Sequence, residues 1–432
     1  MSSNKQPISI AIIGAGIAGI TLAIALSERN PEIELKIFES RLRFSEISAG
    51  VGFGPNAVKA MGLISPRITE AYNKVKTTNL WPDKSHVWCD IRSGDGCNAG
   101  ELITEVASER GFTHCSASRA QFLQKLVELV PKSVEVQFGK RIIDVKEDGV
   151  DEIGKTRLRF EDGSEALVIA VVGCDGIRSA CRRILLGEGD ESTNAVYSGK
   201  YAYRKVVSMK KAIQAVGSEV QNRQIYLGHG GHILTFPILD GKALSIVAFK
   251  DADGIPWTHR QWVIPSSRDA ILKDFKTWGE KATKLLELIE DPEKWALFDV
   301  VVPSTFSKEG FCILGDAAHA STPHLDAGAG FAIEDAYLLS GLMTPDLIKT
   351  TSDIKQAFRI YGEIRRPRCL ELIDRSREQG SLFDLRKQQS ESEVSRDELR
   401  TKLALNQQWV WDVDLEGMLD KAKEMFVAGR DE

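Results

Sequence analysis

The residues best suited to chemistry near the start of the chain are three closely spaced glycines, Gly14, Gly16 and Gly19. They follow the β-branched run 8–13, which is typical of a strand buried on both faces of a parallel sheet. Gly14 permits a tight turn, Gly16 lets the backbone approach a pyrophosphate, and Gly19 lets the next helix, 20–27, pack on the strand. The free N–H groups at the start of that helix would then hold phosphates.

Glu39 completes this pattern with a carboxylate. It follows a second strand-like run, 34–38, and lies twenty residues after Gly19. An acidic side chain at this place can accept hydrogen bonds from the ribose of an adenosine. Strand, glycines, helix and acid therefore predict a dinucleotide-binding domain. The alternative is a glycine-rich turn before an ordinary core helix.

Two further motifs place an acidic residue directly after a buried run. The motif GDAAH at 315–319 follows the apolar run 311–314, and the motif DG at 175–176 follows the run 166–172. Each run predicts a strand that delivers the acidic residue to a loop.

The segments between these motifs predict the elements that must position them. The glycines in the stretch 46–57 would let the backbone come close to a flat group. Ser118 is a suitable N-cap for an amphipathic helix over 121–129. Turn residues occur at 148–149 and 162–163, between or after three runs that alternate like antiparallel strands. These runs are 134–138, 141–146 and 156–160.

A second region of strands followed by one helix occupies about 196–303. The helix is predicted over 267–289. The strands are predicted over 201–207, 224–227, 232–237 and 243–250. The chain returns to the first domain at Phe311. The predicted fold class is α/β with α+β elements: a Rossmann-like domain, an inserted antiparallel sheet and C-terminal helices.

Composition limits the classes of function. The 432 residues can bury a large core and favour two connected domains. The net charge of -5, without a basic stripe, argues against nucleic acid as a partner. Residues 1–7 lack the pattern of a signal peptide, and the apolar stretch 11–26 fits a strand plus a helix better than a membrane span. Seven cysteines without a CxxC pair indicate reduced thiols in a cytoplasmic protein.

Histidines spaced like metal ligands occur twice, as His229 with His232 and as His319 with His324. Neither pair has a neighbouring set of cysteine, histidine or carboxylate residues that completes a site. We therefore expect no metal.

In this order, the motifs resemble those of the single-component, FAD-dependent aromatic hydroxylases of the para-hydroxybenzoate hydroxylase type, and most closely the salicylate hydroxylase branch. The resemblance runs from about residue 8 to 375. It rests on GxGxxG at 14–19, DG at 175–176 and GD at 315–316, and the last motif continues to residue 336. The implied domains are 1–75 (FAD-binding, first part), 76–118 (sheet segment on the substrate side), 119–195 (FAD-binding, middle part with DG), 196–303 (substrate domain), 304–375 (FAD-binding, last part with GD) and 376–432 (C-terminal helical tail).

The resemblance implies roles for residues at the cofactor. Asp316 would accept hydrogen bonds from the ribityl hydroxyls, and Arg119 would reach the ribityl and phosphate part of FAD. Asp175 would support the surface for the pyrophosphate or the nicotinamide. For both acids the alternative is a helix cap or a surface turn. Gly328 to Gly330 would begin a helix whose N–H groups stabilise the reduced flavin anion. The residues expected to contact FAD are Gly14, Gly16, Ala18, Gly19, Glu39, Val51, Gly52, Arg119, Asp175, Asp316, Gly328, Ala329 and Gly330.

The resemblance also implies a reaction. NADH or NADPH, bound transiently, would reduce FAD, and O2 would then form a C4a-hydroperoxyflavin that transfers OH to an electron-rich ring. With salicylate, attack at the carbon that bears the carboxyl group releases carbon dioxide and leaves catechol. The expected partners are a small aromatic acid, O2 and NAD(P)H, with neither nucleic acid nor membrane. The protein would be a monomer or a homodimer, and the tail 381–432 would close a dimer or cap the fold.

Substrate contacts are expected from the second region and from the GD loop. Arg204 would pair with a carboxylate, unless it is a surface or interface arginine. His324 would orient or deprotonate a phenol. Pro323 would lie on the same loop, which in relatives runs past the reactive edge of the flavin. The expected pocket residues on the strands are Tyr226, His232, Phe236 and Pro237. For His232 the alternative is a turn histidine with its own hydrogen-bond partner.

One departure from the family bears on the substrate. Relatives commonly carry Gln-Gly where this chain has Leu325 and Asp326, and a carboxylate there would oppose the reduced anion unless it points outward or is paired. Phe331, where relatives often carry Gln or Met, would make the pocket side more apolar. Two alternatives stay open. One is a flavin monooxygenase that hydroxylates or epoxidises another, secondary-metabolite ring, and the other is a degenerate FAD-binding relative.

Overall fold

The structure is a computed structural model that describes residues 8–44, 50–109, 111–148, 155–386 and 395–429. Several sequence predictions concern residues outside those ranges: 1–7, 46–49 of the glycine-rich stretch, Gly149 of a turn, and 387–394 and 430–432 of the tail. Among the described residues, no helix has the length and apolar character needed to cross a membrane.

Strands and helices are numbered separately from the N-terminus of the chain. The strands are β1 (Ser9–Ile13), β2 (Glu34–Glu39), β3 (Gly50–Phe53), β4 (Lys76–Thr78), β5 (Val87–Ser93), β6 (Leu102–Ala107), β7 (Cys115–Ser118), β8 (Glu135–Phe138), β9 (Ile142–Asp148), β10 (Lys155–Phe160), β11 (Glu165–Val168), β12 (Ala170–Gly173), β13 (Ala195–Ser208), β14 (Gln224–Gly228), β15 (Gly231–Ile238), β16 (Ala243–Asp251), β17 (Val263–Pro265), β18 (Glu293–Val300), β19 (Ser307–Lys308) and β20 (Phe311–Ile313). The α-helices are α1 (Ile17–Arg29), α2 (Pro55–Ile64), α3 (Pro66–Asn73), α4 (Arg119–Val127), α5 (Ala180–Leu186), α6 (Met209–Val216), α7 (Arg268–Asp274), α8 (Glu280–Glu287), α9 (Asp316–His319), α10 (Gly328–Leu342), α11 (Thr351–Phe383), α12 (Arg396–Trp411) and α13 (Leu415–Ala428).

The first domain is built on a six-stranded sheet in the order β19-β20-β12-β1-β2-β8. Its neighbours are parallel except for β19, which pairs antiparallel with β20 at the edge. Ile13 is the register partner of Gly173 and of Phe38, and Gly173 is the partner of Ile313. Because parallel strands end at the same edge, the loops after β1, β12 and β20 meet there. Open α/β sheets bind their ligands at this edge.

Two strand predictions in this domain are wrong. The run 134–138, expected to alternate like an antiparallel strand, forms β8, which pairs parallel with β2. The run 166–172, expected as one strand, is divided: β11 pairs with β10 in a small antiparallel sheet, and β12 enters the main sheet. Both arrangements satisfy the same apolar pattern, so the sequence alone does not distinguish the pairing partners.

The second sheet has eight strands in the order β17-β18-β13-β16-β15-β14-β5-β6. Its neighbours are antiparallel except β14 and β5. Strand β13 extends beyond both ends of the predicted strand 201–207. Helices α6, α7 and α8 cover one face of this sheet with a single apolar cluster. The predicted fold class, a parallel-sheet domain with an inserted antiparallel sheet, is confirmed.

The single helix predicted over 267–289 is wrong, because this segment forms two helices, α7 and α8. The break contains Gly279, where the backbone meets the loop between β5 and β6. The N–H of Gly279 donates to the carbonyl oxygen of Gly94 at 2.9 Å, and a Cβ on Gly279 would come within 2.4 Å of the Cβ of Ala99. This close approach requires glycine at the N-cap of α8, although the apolar periodicity continues through the break.

The C-terminal helices pack on both domains. In α12, Leu399 joins Ile103 and Ile225 of the second sheet in one apolar cluster. In α13, Leu419 packs so closely on α10 that a Cβ on Gly341 would lie 2.5 Å from its Cδ1. The described part of the tail therefore caps the fold, which is one of the two roles expected from the sequence.

Candidate active site

A cavity of about 1460 Å³ lies where the loop edge of the main sheet faces the second sheet. Pockets for drug-sized ligands occupy about 300–1,000 Å³, so this cavity suits a larger ligand. The loops after β1, β12 and β20 contribute Gly14, Asp175 and Asp316, and the second sheet contributes Arg204 and Trp295. The three sequence motifs are thus brought together around one cavity.

The glycine turn after β1 has the geometry of a phosphate site. Gly14 has a φ of 104°, and a Cβ there would lie 2.5 Å from a backbone oxygen of the loop after β12. Helix α1 begins directly after Gly16, and its first turn, 17–20, is uncharged, so its N–H groups are available to an anion. Gly14, Gly16 and Ala18 line the cavity, whereas Gly19 packs against the carbonyl oxygen of Gly14.

Glu39 lies in the cavity wall at the end of β2. Its Oε2 accepts the N–H of Ala15 at 2.8 Å, and its Oε1 accepts the N–H of Arg41 at 2.8 Å. The carboxylate thereby joins the end of β2 to the glycine turn. Contact with an adenosine ribose stays a prediction, which the position in the wall permits.

Asp175 also lies in the cavity wall, but its carboxylate is turned towards helix α5. It accepts the N–H groups of Ala180 at 2.7 Å and Cys181 at 3.0 Å and the hydroxyl of Ser179. The side chain is therefore a cap of α5 that shapes the loop. Any support for a pyrophosphate or a nicotinamide would come from the loop rather than from a free carboxylate.

Asp316 begins the short helix α9 and is partly exposed to the cavity. Its carboxylate accepts no hydrogen bond from any residue that the structure describes. Beside it, the buried Arg182 donates to the carbonyl oxygens of Ile177 at 2.6 Å and Ala317 at 2.9 Å, which ties the two acidic loops together. A carboxylate with free acceptor positions on a fixed loop fits the hydroxyl donors of a ribityl chain.

A buried ion-pair network fixes the GD loop from behind. Asp335 of α10 accepts hydrogen bonds from the N–H of Gly315 at 3.0 Å, from His319 Nε2 at 2.6 Å and from Arg365 Nε at 2.6 Å. Burial opposes the ionisation of Asp335, but His319 and Arg365 outweigh it and lower its pKa to about 2. The loop that carries Asp316 is therefore held by a charged side chain that is fully buried.

Glu334 extends this network, which sequence reasoning missed. It accepts hydrogen bonds from Asn56 at 2.7 Å, Arg365 at 2.8 Å and Arg368 at 3.0 Å. The signal in the sequence is an acidic pair, Glu334 and Asp335, inside an otherwise apolar helix. Buried carboxylates require cationic or hydrogen-bonding partners, so this pair could have been predicted to need arginines.

One cluster among the described residues has ligand types that a metal could use: His319, Asp335 and Cys369. The oxygens of Asp335 already accept hydrogen bonds from Arg365, His319 and Gly315. A cation here would lie beside the Arg365 guanidinium, so the cluster is better explained as an ion pair.

Residues of β3, α4 and α10 also contribute to the cavity wall. Arg119, Val51, Gly328 and Ala329 line the cavity. Ser118 occupies the N-cap position of α4, but its side chain makes no capping hydrogen bond. The first turn of α10 is uncharged, and it begins at the cavity wall, where helix N-termini favour negative charge.

Besides Gly19, two more glycines expected at FAD do not line the cavity. A Cβ on Gly330 would lie 3.0 Å from the Cβ of Ala57, so Gly330 permits α10 to pack on α2. A Cβ on Gly52 would lie 2.0 Å from Oδ2 of Asp326, and the Gly52 N–H donates to Oδ1 of Asp326 at 3.3 Å. Both glycines shape the wall from behind.

Arg204 on β13 faces the cavity from the second sheet. None of the described residues offers it a carboxylate within ion-pair distance, and its guanidinium lies 5.4 Å from the ring centre of Trp295. Burial, and secondarily the charge of Arg119, lowers its pKa. A half-buried guanidinium with no acidic partner at a cavity wall is a site for an anion.

His324 is not brought to the cavity, contrary to the expectation that it contacts substrate. The side chain is buried, with neither ring nitrogen hydrogen-bonded to a described residue. Its ring centre lies 5.1 Å from His232 and 5.3 Å from Phe249, and a Cβ on Gly380 would lie 2.5 Å from its Cδ2. Burial, more than the charges of His232 and Lys200, holds its pKa well below the usual value. Pro323, in contrast, lines the cavity.

His232 has a hydrogen-bond partner of its own, as the alternative from the sequence expected, but it lies buried in β15 and not in a turn. Its Nδ1 lies 2.8 Å from Oδ1 of Asp384, which Lys200 also contacts. The ring stacks on Phe249 at 4.4 Å. Burial lowers the pKa of His232 although Asp384 opposes the change. This side chain belongs to the core between the second sheet and α11.

The other predicted pocket residues on the strands divide between the two faces of the sheet. Tyr226 pairs with Ile233, and both belong to the core under α6 and α8, so Tyr226 faces away from the cavity. Phe236 lies on the opposite face, and a Cβ on Gly50 would lie 2.1 Å from its ring. Gly50 lines the cavity, so Phe236 supports the wall, whereas Pro237 is buried and only its carbonyl oxygen is bonded, to Ser116.

The unusual Asp326 lies in the cavity wall, directly before α10. Its carboxylate is paired with Arg223 at 2.7 Å, which satisfies one of the two conditions expected for a tolerated acid there. Phe331, expected to make the pocket side more apolar, is fully buried under Arg365 and Arg368 and does not line the cavity.

Comparisons with known proteins agree with this geometry. Residues 8–376 match the family described as an FAD binding domain. The chain is 36% identical to 6-methylsalicylate 1-monooxygenase atA of Aspergillus terreus over 98% of its length and 93% of that protein. It is also 36% identical to a salicylate hydroxylase of Pseudomonas putida, over 98% of this chain and 96% of that one. A solved salicylate hydroxylase substrate complex superimposes with a TM-score of 0.84 at 31% identity, covering 97% of this chain and 98% of that chain.

Proposed function

Since this chain belongs to the FAD binding domain family and is an FAD-dependent aromatic monooxygenase of the salicylate hydroxylase type, we propose that its substrate is an ortho-hydroxybenzoate. Hydroxylation at the carbon that bears the carboxyl group would convert salicylate to catechol and carbon dioxide. The observation that carries the proposal is Arg204, a guanidinium in the cavity wall without an acidic partner among the described residues.

An aromatic carboxylate must lose part of its water to bind against the wall of this cavity, which is unfavourable unless a cation replaces that water. Arg204 supplies two parallel N–H donors, the geometry that matches a carboxylate. The neighbouring Trp295 ring gives the same wall an apolar surface for a benzene ring. An acid with an adjacent phenol therefore meets both a charged anchor and a flat contact.

The residues of the opposite wall hold the cofactor. The N-terminus of α1 and Gly16 would bind the pyrophosphate, and Asp316 would accept the ribityl hydroxyls. When bound, FAD accepts a hydride from NAD(P)H and supplies the activated oxygen for transfer to the ring. The N-terminus of α10 would stabilise negative charge on the isoalloxazine, and Pro323 lines the same cavity. We assign no proton transfer to His324, because its side chain does not reach the cavity.

The experiment compares NAD(P)H oxidation by the FAD-loaded protein with salicylate, 6-methylsalicylate, benzoate and phenol. Salicylate and 6-methylsalicylate should accelerate oxidation and yield catechol and 3-methylcatechol respectively. Benzoate lacks the activating hydroxyl and phenol lacks the carboxylate, so neither should be hydroxylated efficiently. Acceleration by phenol as strong as by salicylate would contradict the role of a carboxylate anchor.

A second candidate substrate is a larger phenolic ring of the secondary-metabolite type. The observation that favours it is that the chain is as similar to the 6-methylsalicylate enzyme as to salicylate hydroxylase, at 36% identity to each. If a bulkier alkylated phenolic acid has a higher kcat/KM than salicylate, this second candidate is the better one.

A further inference from the structure

Asp326 places an ionisable carboxylate in the wall of the flavin cavity, two residues before helix α10 begins. Its φ is 54°, the left-handed conformation that glycine adopts most easily and that aspartate tolerates better than most residues. The backbone therefore accommodates an acid at this position. The remaining difficulty is electrostatic, because the same wall must accept negative charge during the reaction.

The cation that pairs with this carboxylate comes from the second sheet. Arg223 precedes β14, is 3% exposed, and donates through Nη2 to Oδ2 of Asp326 at 2.7 Å. Its guanidinium also lies 5.4 Å from the ring centre of Phe236 and 5.9 Å from that of Trp88. Asp326 is the one carboxylate that pairs with Arg223 among the described residues.

Arg223 remains a cation in this setting. Burial alone would lower its pKa, but the adjacent Asp326 outweighs burial and raises it. The pair thus holds one positive and one negative charge in fixed positions, and its negative member is the one nearer the cavity.

We propose that Arg223 is a positioning residue that neutralises Asp326 and thereby sets the midpoint potential of the bound flavin. Hydride transfer from NAD(P)H moves two electrons and one proton to the isoalloxazine, yielding NAD(P)+ and a ring with one additional negative charge. A negative charge in the wall opposes that change, and a cation paired with it removes the opposition. Arg223 therefore lets this chain carry an acid beside the N-terminus of α10, whose dipole favours the same anion.

The test is a dye-equilibrium measurement of the midpoint potential in purified, FAD-loaded protein. It rests on FAD binding and needs no aromatic substrate, so it stands or fails independently of the ortho-hydroxybenzoate proposal. Arg223→Met should shift the equilibrium about tenfold away from reduced flavin, which is about 30 mV for a two-electron couple. That factor is expected for one unneutralised charge acting over roughly 10 Å at an effective dielectric constant of ~20.

Asp326→Asn should shift the potential in the opposite direction, because it leaves the cation without its acid. The double variant Arg223→Met with Asp326→Asn should return to within about threefold of the wild-type equilibrium. Arg223→Lys, which keeps the charge, should also remain near the wild-type value. A purely structural role of the pair would not shift the potentials of the two single variants in opposite directions. Nor would it return the potential of the double variant to near the wild-type value.

Two results would overturn the proposal. One is a shift of both single variants in the same direction, and the other is an unchanged potential in Asp326→Asn. An unchanged potential in Asp326→Asn would overturn the proposal even if Arg223→Met does not fold. Asp326→Asn keeps the backbone and most of the side-chain volume, so this variant should fold. Flavin absorbance per protein, measured for each variant, separates a change in potential from a loss of cofactor.

Discussion

The two walls of the cavity are determined in different ways. The wall formed by the main sheet consists of loops whose glycines and acids are adjacent in sequence, and the parallel strands bring their ends together. The wall formed by the second sheet depends on which face of each strand meets the cavity, and α6 to α8 decide this by covering the other face. Local motifs therefore predict which loops form the first wall, whereas the second wall is fixed by tertiary packing.

The walls also differ in how they treat charge. Behind the first wall, Glu334 and Asp335 are fully paired with arginines in the interior. On the second wall, Arg204 has no acidic partner among the described residues. Buried ion pairs hold the loops of the first wall in place, whereas a cation without an acidic partner is available to a ligand. Substitutions behind the first wall should therefore change stability, and substitutions on the second wall should change substrate binding.

The largest effect is expected behind the first wall. Arg365→Met would remove the arginine that bonds both Glu334 and Asp335 in the interior, so the free energy of unfolding should fall by about 3–5 kcal/mol in urea denaturation. The matched control is Arg359→Met, which breaks an exposed pair with Glu363 in the same helix and should cost at most about 0.5 kcal/mol. Similar losses in the two variants would show that the buried network does not hold this wall.

The next effect concerns the cofactor. Asp316→Ala should weaken FAD binding by about 1.5–3 kcal/mol, because hydrogen bonds to a charged acceptor contribute that much. Flavin fluorescence during titration of the apoprotein measures the affinity. The control is Asp253→Ala, which should leave the affinity for FAD unchanged. It removes an exposed acid that pairs with Arg386 and lies far from the motifs in sequence. Equal FAD affinity in Asp316→Ala and wild type would remove this residue from the cofactor site.

A smaller effect is expected on the second wall. Arg204→Lys keeps the charge but loses the two-donor geometry, so the KM for salicylate should rise about tenfold while bound FAD is unaffected. Salicylamide, which has no charged carboxylate, is the matched ligand, and its KM should change little. If FAD retention falls and the KM for salicylate does not change, Arg204 belongs to the cofactor instead.

The smallest effect is expected at His324. Neither of its ring nitrogens has a hydrogen-bond partner among the described residues, so His324→Leu removes no such bond and should change kcat by less than about threefold. The ratio of hydrogen peroxide to NAD(P)H consumed should also stay the same. A tenfold loss of hydroxylation with rising peroxide would mean that His324 reaches the substrate and that the second wall rearranges on binding.

The sequence predicts Gly14, Glu39 and Asp316 at the cavity because short motifs encode the backbone around them. It does not predict that His324 faces the core, since Pro323 and His324 are neighbours and point to different sides of one short turn. Tyr226 is misplaced for a related reason: the apolar alternation of β14 fits either face of the sheet. The pairing of Asp326 with Arg223 joins residues that are far apart in sequence, and a pattern along the chain carries no information on it.

The most direct measurement quantifies catechol and hydrogen peroxide against NAD(P)H consumed when the FAD-loaded protein turns over with salicylate. Arg204 as carboxylate anchor predicts that salicylate accelerates NAD(P)H oxidation and that catechol accounts for most of the NAD(P)H consumed in the wild type. In Arg204→Lys at the same salicylate concentration, less catechol should form at an unchanged FAD content. NAD(P)H oxidation that salicylate does not accelerate, with peroxide and no catechol as products, would contradict an ortho-hydroxybenzoate as the substrate.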